Sequence, residues 1–359
     1  MSKQLKRILQ KFLGNSGYAG AAKRVESIKL YLLRRCAKSL LLAKLYVLFS
    51  SDYNREIMST MKGHQLFIKN SRSAENVNYF LRRSVHRLEK GLSTRPRKPV
   101  FAVDYIRETV EAYSQIPCDS KNDDEAVWAR DVLEKYFEVA GNHPFIDEAR
   151  NMFYASTHKQ VSPSERARKL VPYPKSESDS HSVTYADFLE LTKARRSVRY
   201  YIDKPVGRDL IDKAIIAASY SPSACNRQPF KFRVFDEREV LSQVVELPGG
   251  ILTFANNIPV IVAIVGRQRA YPHPKDRHLI YVDGALAAMS FIYALETLGL
   301  SSCAINWPDV PQRENRAKQL LQLDDDERII LWVSVGYALP DGMIPYSAKI
   351  SLENIRSYN

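Results

Sequence analysis

The chain of 359 residues lacks any long hydrophobic run. Its most apolar stretch, Ser39 to Phe49, is 11 residues and contains Lys44, whereas a spanning helix needs about 20. A secretory leader is also missing from the pattern, because Met1 to Leu13 carries charge throughout at Lys3, Lys6, Arg7 and Lys11 and leaves no apolar centre. These absences predict a cytoplasmic protein, with peripheral attachment to a membrane left open. Cysteine is scarce: Cys36, Cys118, Cys225 and Cys303 stand far apart and form no Cys-x-x-Cys pair, so neither a disulfide framework nor a zinc site is indicated. No His accompanies Cys225, which reads as a small packing residue. No Gly-x-Gly-x-x-Gly follows a strand; the turn Leu247-Pro248-Gly249-Gly250 is not one. No metal site, repeat or long low-complexity tract is present.

Negative charge is what the first part of the chain lacks. The net charge is +13, but residues 1–100 hold 22 Lys and Arg against 5 Asp and Glu, a balance of +17, and the remaining 259 residues hold 31 against 35, a balance of −4. Lys3 to Leu13 and Val25 to Phe49 set leucines at helical spacing among these basic residues. Such helices either pack their apolar face on protein and leave the lysines in water, or lie on an anionic membrane surface through residues 1–50. Nucleic acid is not expected, since no binding fold or aromatic-studded basic groove is present.

Further along, Ala74 to Leu92 predicts a helix with Gly91 as its C-cap. His86, Glu89 and Lys90 on adjacent turns read as a surface ion pair with a polar His. Asp104 to Ile116 and Asp124 to Gly141 are two more amphipathic helices, the second burying Val127, Trp128, Val132, Leu133 and Phe137. Val161 to Ser182, with three prolines and six serines, reads as a linker. The second half alternates elements. Helices are expected at Tyr185 to Arg195, with Phe188 and Leu191 inward, at Pro205 to Ser219, and at Asp283 to Leu298, which is apolar nearly all round and hence buried. Strands are expected at Lys231 to Phe235, Pro259 to Val265, Cys303 to Asn306 and Ile329 to Val335. The expected organisation is a basic segment over 1–73, a helical accessory region over 74–160, a linker over 161–182 and a layered α+β domain over 183–359.

Ser221-Pro222-Ser223-Ala224-Cys225-Asn226-Arg227-Gln228-Pro229-Phe230 fits neither helix nor strand and must be an ordered loop suited to holding a polar, planar ligand. Together with Arg195-Arg196-Ser197-Val198-Arg199-Tyr200 upstream, it resembles the flavin-binding signature of the nitroreductase family. Later landmarks follow in the family's order: Ala255-Asn256-Asn257-Ile258-Pro259, Asp283-Gly284-Ala285, Leu298-Gly299-Leu300 and Ser334-Val335-Gly336-Tyr337. The resemblance covers Val183 to Asn359. It implies a mixed sheet sandwiched by helices, preceded here by an all-helical extension, in a homodimer with FMN at the subunit interface.

By the same resemblance, Arg195 and Arg199 are cations for the phosphate and ribityl side of FMN, with Arg196 beside them and Ser197 donating its hydroxyl; a planar guanidinium fork suits a phosphate. Pro222, Ser223 and Ala224 line the ring or ribityl chain from the partner subunit, and Asn226 and Gln228 occupy carboxamide positions that either bind the cofactor or tie the loop to itself. Asn306 and Trp307 fall where relatives present backbone N–H groups to the ring, and Trp307 either stacks on the substrate or caps the core. Lys349 matches one of two basic residues near the carboxyl terminus, with Ser347 in place of the other. No residue of the set is an evident general acid or base, which fits chemistry done by the cofactor. The implied activity is transfer of electrons from NAD(P)H to a small conjugated acceptor by a ping-pong cycle. Two alternatives stand: a dehydrogenase of a specific biosynthetic intermediate, and a non-catalytic flavin-fold module anchored at an anionic membrane.

Overall fold

Alternation in the most apolar strand sets the architecture. In β2, Val260–Arg267, the side chains of Val260, Val262 and Ile264 point to one face and those of Ile261, Ala263 and Val265 to the other, and all six are buried. A strand buried on both faces must lie inside a sandwich. It does so in a computed structural model of the protein that describes residues 17–359 apart from 18–19, 22, 26, 29, 51–52, 71–77, 118–122, 158–168, 178–179 and 252. The chain falls into two units, Met1–Ile57 and Met58–Asn359.

In the larger unit β1 (Phe230–Phe235), β2, β3 (Ser301–Asn306) and β4 (Glu327–Gly336) form one sheet in the order β1-β2-β4-β3, every pair antiparallel. The sheet itself is antiparallel rather than mixed; the parallel pairing is an isolated bridge from Ser197 to Ser302, outside the four strands. The helices Arg208–Ser219 and Leu279–Thr297 cover one face over Val262, Phe291, Leu295 and Val333. Arg238–Val244 and Pro311–Leu321 cover the other over Ile261, Ala263 and Trp332. A separate core lies among the helices Tyr79–Ser93, Ile106–Ser114, Asp124–Val139 and Pro144–Thr157, around Leu88, Val110, Leu133 and Phe153.

The four expected strands are all present, each longer by one to three residues. Several helical expectations are corrected. Gly91 is no C-cap: the helix runs to Ser93 with Thr94 as its cap, and the glycine is there because a Cβ would lie 2.3 Å from the Phe101 ring. The helix expected from Asp283 begins at Leu279, so Asp283 sits within it and is buried. It is not buried all round either, since Val282 and Leu286 are 48% and 44% exposed. Phe188 is exposed rather than inward and meets the ring of Tyr293. Trp128 is half-buried, its indole N–H donating 2.9 Å to Glu89 Oε1, while His86 Nδ1 lies within hydrogen-bond distance of Glu89 Oε2, at 3.2 Å. The pattern of 25–49 is broken before Leu40, where Ser39 caps Leu40–Phe49 by accepting from Leu42 N at 3.5 Å. Lys3 to Leu13, Cys118 and, in the expected linker, 161–168 and 178–179 lie outside the described residues.

Two helices had no counterpart in the sequence reading, Asn54–Asn70 and Pro144–Thr157. The first reaches the sheet domain through Gly63, whose missing side chain admits the backbone of Gln268 and Arg269; a Cβ would fall 2.4 Å from Gln268 Cβ and 2.7 Å from its carbonyl carbon. Helix propensity favours alanine over glycine by about 1 kcal/mol, but backbone cannot move aside as a side-chain tip can. Gly63→Ala is therefore expected to destabilise the protein, by about 1–3 kcal/mol. Urea denaturation of the two forms checks the sign, and a rise in stability would contradict the close approach.

Candidate functional site

The two signature segments stand at opposite ends of the sheet. Val198 N donates 3.0 Å to Ser302 O; Ser302 pairs with Val335, which pairs with Val260. The loop instead feeds Phe230, which pairs with Gly266, which pairs with Arg328. Six residues of β2 separate these rows, about 20 Å at ~3.3 Å per residue.

The arginine segment follows the helix Tyr185–Ala194, which opens on a Thr184 and Asp187 capping box and stops at Arg195. Beyond it the main chain is braced from two sides. Asn257 accepts from Tyr201 N at 2.8 Å and donates to Arg199 O at 3.2 Å. The Tyr201 hydroxyl donates to Val198 O at 2.8 Å and lies 2.7 Å from Ser334 Oγ; burial pushes its pKa well above the usual phenol range, so it stays a donor. The side chains are disposed differently. Arg196 is committed internally, donating to Pro345 O at 2.7 Å and to Tyr346 O, which ties down the segment that carries Ser347 and Lys349. Arg195 is half-buried yet makes no hydrogen bond or ion pair with any described residue, and Arg199 makes only a long 3.4 Å contact to Ser197 O. Both arginines and the Ser197 hydroxyl gather around Cys303. Burial raises that thiol's pKa, and Arg199, the Ser197 hydrogen bond and Arg195 hold the rise back. Arg195 lies close enough to Glu296 to hold down the rise that burial gives its carboxyl pKa, but makes no hydrogen bond or ion pair to it; two half-buried guanidinium forks free of such bonds fit a phosphate dianion.

The loop at the other end is held in an unusual backbone path. Cys225, Asn226 and Gln228 have φ of 54°, 51° and 50°, values that non-glycine residues adopt only where surrounding contacts impose them. Ser223 Oγ accepts from Gln228 N at 2.9 Å, and Gln228 Nε2 donates to Ser219 O at 3.0 Å. Ser221 Oγ donates to Ser290 Oγ at 2.7 Å. Buried Asp283 accepts from Ala224 N at 3.0 Å and from the Tyr271 hydroxyl. The Arg227 guanidinium lies 4.9 Å from the centre of the Tyr271 ring. From the helical layer, Arg82 Nε donates 3.0 Å to Asn226 O and pairs with Glu125 at 3.2 Å. Of the two carboxamides Gln228 thus ties the loop to itself, while the Asn226 carboxamide has no partner among the described residues. Pro222 is exposed and Ala224 half-buried.

Asn306 is exposed at the end of β3. Trp307 turns inward: its indole N–H donates to Glu314 Oε1 and its ring meets Trp332 edge-on at 5.8 Å, so its side chain belongs to the core and only its backbone is left for a ligand. Lys349 is exposed and makes no ion pair with any described residue.

Burial raises the Asp283 carboxyl pKa above its usual value of 3.8; the Tyr271 hydroxyl, the Ala224 N–H and Arg227 pull it part-way back. A carboxyl raised in the folded state stabilises most below its unfolded value, and that contribution is lost as pH rises through the folded value. Wild-type stability should therefore fall relative to Asp283→Asn as pH rises from about 4 through the raised native value. Urea titrations of both forms across that range test this, and a constant gap would count against it.

The sequence reading missed the residues that brace the two segments. Asp283 was legible as a lone carboxylate in an apolar helix, and Asn257 as part of an Asn-Asn-Ile-Pro run. Arg82, 144 residues from its partner, left no sequence signal.

Comparison with known proteins agrees with this arrangement. The model described as Nitroreductase family matches residues 192–253 and 238–337. The chain is 29% identical over 166 residues to a provisionally named NADH dehydrogenase/NAD(P)H nitroreductase of Methanothermobacter thermautotrophicus, covering 46% of this chain and 76% of that one. A protein of the same name from Archaeoglobus fulgidus is 31% identical over 157 residues, 42% of this chain and 84% of that one. Iodotyrosine deiodinase 1 of Mus musculus is 22% identical over 261 residues, 62% of this chain and 90% of that one. With the sheet, the arginine segment and the loop in place, the chain belongs to the nitroreductase family of oxidoreductases.

Proposed function

We propose that the protein is an FMN-dependent oxidoreductase that passes electrons from NAD(P)H to a small conjugated acceptor, working as a homodimer. The observation that carries this reading is the pair of half-buried arginines with unengaged forks at one end of the sheet and the free Asn226 carboxamide about 20 Å away at the other. A single FMN site needs both, so the arginine segment of one chain and the loop of a second must complete it. Exposed apolar side chains support the homodimer reading: Val282 and Leu286 of the core helix, Tyr185 and Tyr220, and Tyr346 and Ile355 of the tail are open to solvent.

FMN, when bound, supplies the carrier that takes hydride from the nicotinamide and delivers it to the acceptor in two separate half-reactions. The chain's own residues bind and orient. Arg195 and Arg199 neutralise the phosphate, with Lys349 held near by the Arg196 contacts to Pro345 and Tyr346. Ser223, whose oxygen already accepts from Gln228 N, keeps its hydroxyl proton to donate. The Asn226 carboxamide supplies both a donor and an acceptor for the polar edge of a flat ring. Backbone N–H groups at 306–307, fixed by the anchored Trp307 indole, stabilise negative charge that develops on that edge.

The test is the visible spectrum of the FMN-reconstituted, desalted protein, followed by anaerobic addition of NADH or NADPH. Retained flavin that bleaches is expected and identifies the donor. A colourless protein would overturn the reading. Retained flavin that stays oxidised would favour the second reading, dehydrogenation of a specific biosynthetic intermediate, for which the helical layer gripping the loop through Arg82 gives room for a dedicated pocket.

A further inference from the structure

The first unit carries an apolar surface that the flavin chemistry does not use. The helix Leu40–Phe49 has no buried residue; Leu40, Leu41, Leu48 and Phe49 are 74%, 67%, 73% and 86% exposed. The helical stretch 30–36 before it exposes Leu30, Tyr31 and Leu32 in the same way. Singly exposed apolar residues are ordinary, but a contiguous set of this size marks a surface that meets something.

Its charge indicates what. Residues 1–57 hold 12 Lys and Arg against 3 Asp and Glu, a balance of +9. Lys23, Arg24, Arg34, Lys38 and Lys44 are exposed and make no ion pair with any described residue. A second copy of this unit would bring the same +9 against it. The remainder of the chain, with a balance of +4, offers no net attraction. An anionic lipid surface satisfies both features at once, since the leucines enter the acyl boundary while the basic side chains reach back to the headgroups. Ten residues make a helix about 15 Å long, half the ~30 Å hydrocarbon thickness, so the helix lies at one leaflet and does not cross.

We propose that residues 30–50 dock the enzyme on an anionic phospholipid bilayer, with Leu40–Phe49 as the inserted element and Lys38, Lys44 and the 34–35 arginine pair as its headgroup contacts. The site is independent of the flavin chemistry and stands whether or not the oxidoreductase reading holds.

Full-length protein is sedimented with vesicles of phosphatidylcholine and phosphatidylglycerol at 7:3, with pure phosphatidylcholine vesicles for comparison. Strong binding to the anionic vesicles is expected at 50 mM NaCl, at least tenfold weaker to the neutral ones, and similarly weakened at 500 mM NaCl. Leu41→Glu/Leu48→Glu should lose about a hundredfold in affinity, roughly tenfold for each leucine withdrawn from the acyl boundary. Lys38→Glu/Lys44→Glu should lose binding to the anionic vesicles and leave the weak neutral binding unchanged. All four substituted positions are solvent-exposed, so unchanged circular dichroism and flavin content are expected to accompany the loss. Absence of binding to the anionic vesicles at low salt overturns the proposal, as does equal binding to both compositions or wild-type affinity in the leucine variant. An oligomer that the leucine variant dissociates, without lipid binding, overturns it in favour of a second copy.

Discussion

Replacing both Arg195 and Arg199 by alanine is expected to raise the dissociation constant for FMN about a thousandfold and to leave the fold intact. The magnitude follows from what the two forks are free to do. A hydrogen bond to a charged group contributes about 1.5–3 kcal/mol, so losing one strong contact at each arginine costs about 4 kcal/mol, or three decades in affinity. The fold is spared because neither guanidinium holds the chain together: Arg195 makes no hydrogen bond or ion pair with a described residue and Arg199 only the 3.4 Å contact to its own neighbour. Their loss should also raise the Cys303 thiol further, since both restrain its pKa. Fluorescence titration with FMN gives the affinity and thermal unfolding of the apoprotein gives the stability. If affinity falls less than tenfold, the phosphate is held elsewhere. Arg196→Ala supplies the contrast, because its fork already holds Pro345 and Tyr346 and its loss should loosen the segment that carries Lys349.

Arg82→Met is expected to be the most damaging single change outside the sheet, costing about 3 kcal/mol of stability and weakening FMN retention roughly tenfold. Arg82 joins three things: the Asn226 carbonyl at 3.0 Å, Glu125 at 3.2 Å and the face of Trp128 with its guanidinium carbon 5.6 Å from the ring centre. Methionine keeps most of the stem but removes the charge, so Glu125 is left largely buried without its counter-ion. Burial already raises the Glu125 carboxyl and Arg82 holds it down; breaking such a pair from one side costs about 3–5 kcal/mol when fully buried, and less here because Glu125 keeps some solvent contact. The lost N–H to Asn226 frees a residue held at φ 51°, which predicts the effect on the cofactor. The sign with pH is fixed: without Arg82 the Glu125 pKa rises, so the deficit is largest near neutrality and shrinks as pH falls towards the ordinary carboxyl value. A double-mutant cycle with Glu125→Gln separates the two roles. The stability loss should be largely relieved in that background while the FMN effect persists. Wild-type stability and FMN retention in Arg82→Met would show that the helical layer does not grip the loop.

What could be read from the amino-acid order depends on how local its cause is. The two central strands were legible because a strand buried on both faces writes a largely apolar run, as Val260 to Val265 does, and β1 because Lys231 and Arg233 alternate with Phe232 and Val234. The arginine segment and the loop were legible because their residue types stand out in sequence as a signature shared with the nitroreductase family. Helix ends were less legible. Gly91 has the composition of a C-cap but serves a contact with Phe101, and Leu279 starts a helix that Asp283 had been expected to open. In each case a partner distant in sequence decides between two locally acceptable structures.

The sequence by itself determined the family, the sheet, the basic character of the first hundred residues and the side chains proposed to address a flavin. Only the tertiary structure decided which of those side chains remain available. Gln228 and Arg196 are spent on the chain's own carbonyls and Trp307 on the core, while Arg195, Arg199 and Asn226 are left open. It also set the two halves of the signature at opposite ends of one sheet and brought Arg82 across 144 residues to the loop. The physical reason is common to all three. Hydrogen-bond partners are chosen by geometry after the chain has packed, and packing brings together residues that share no local pattern.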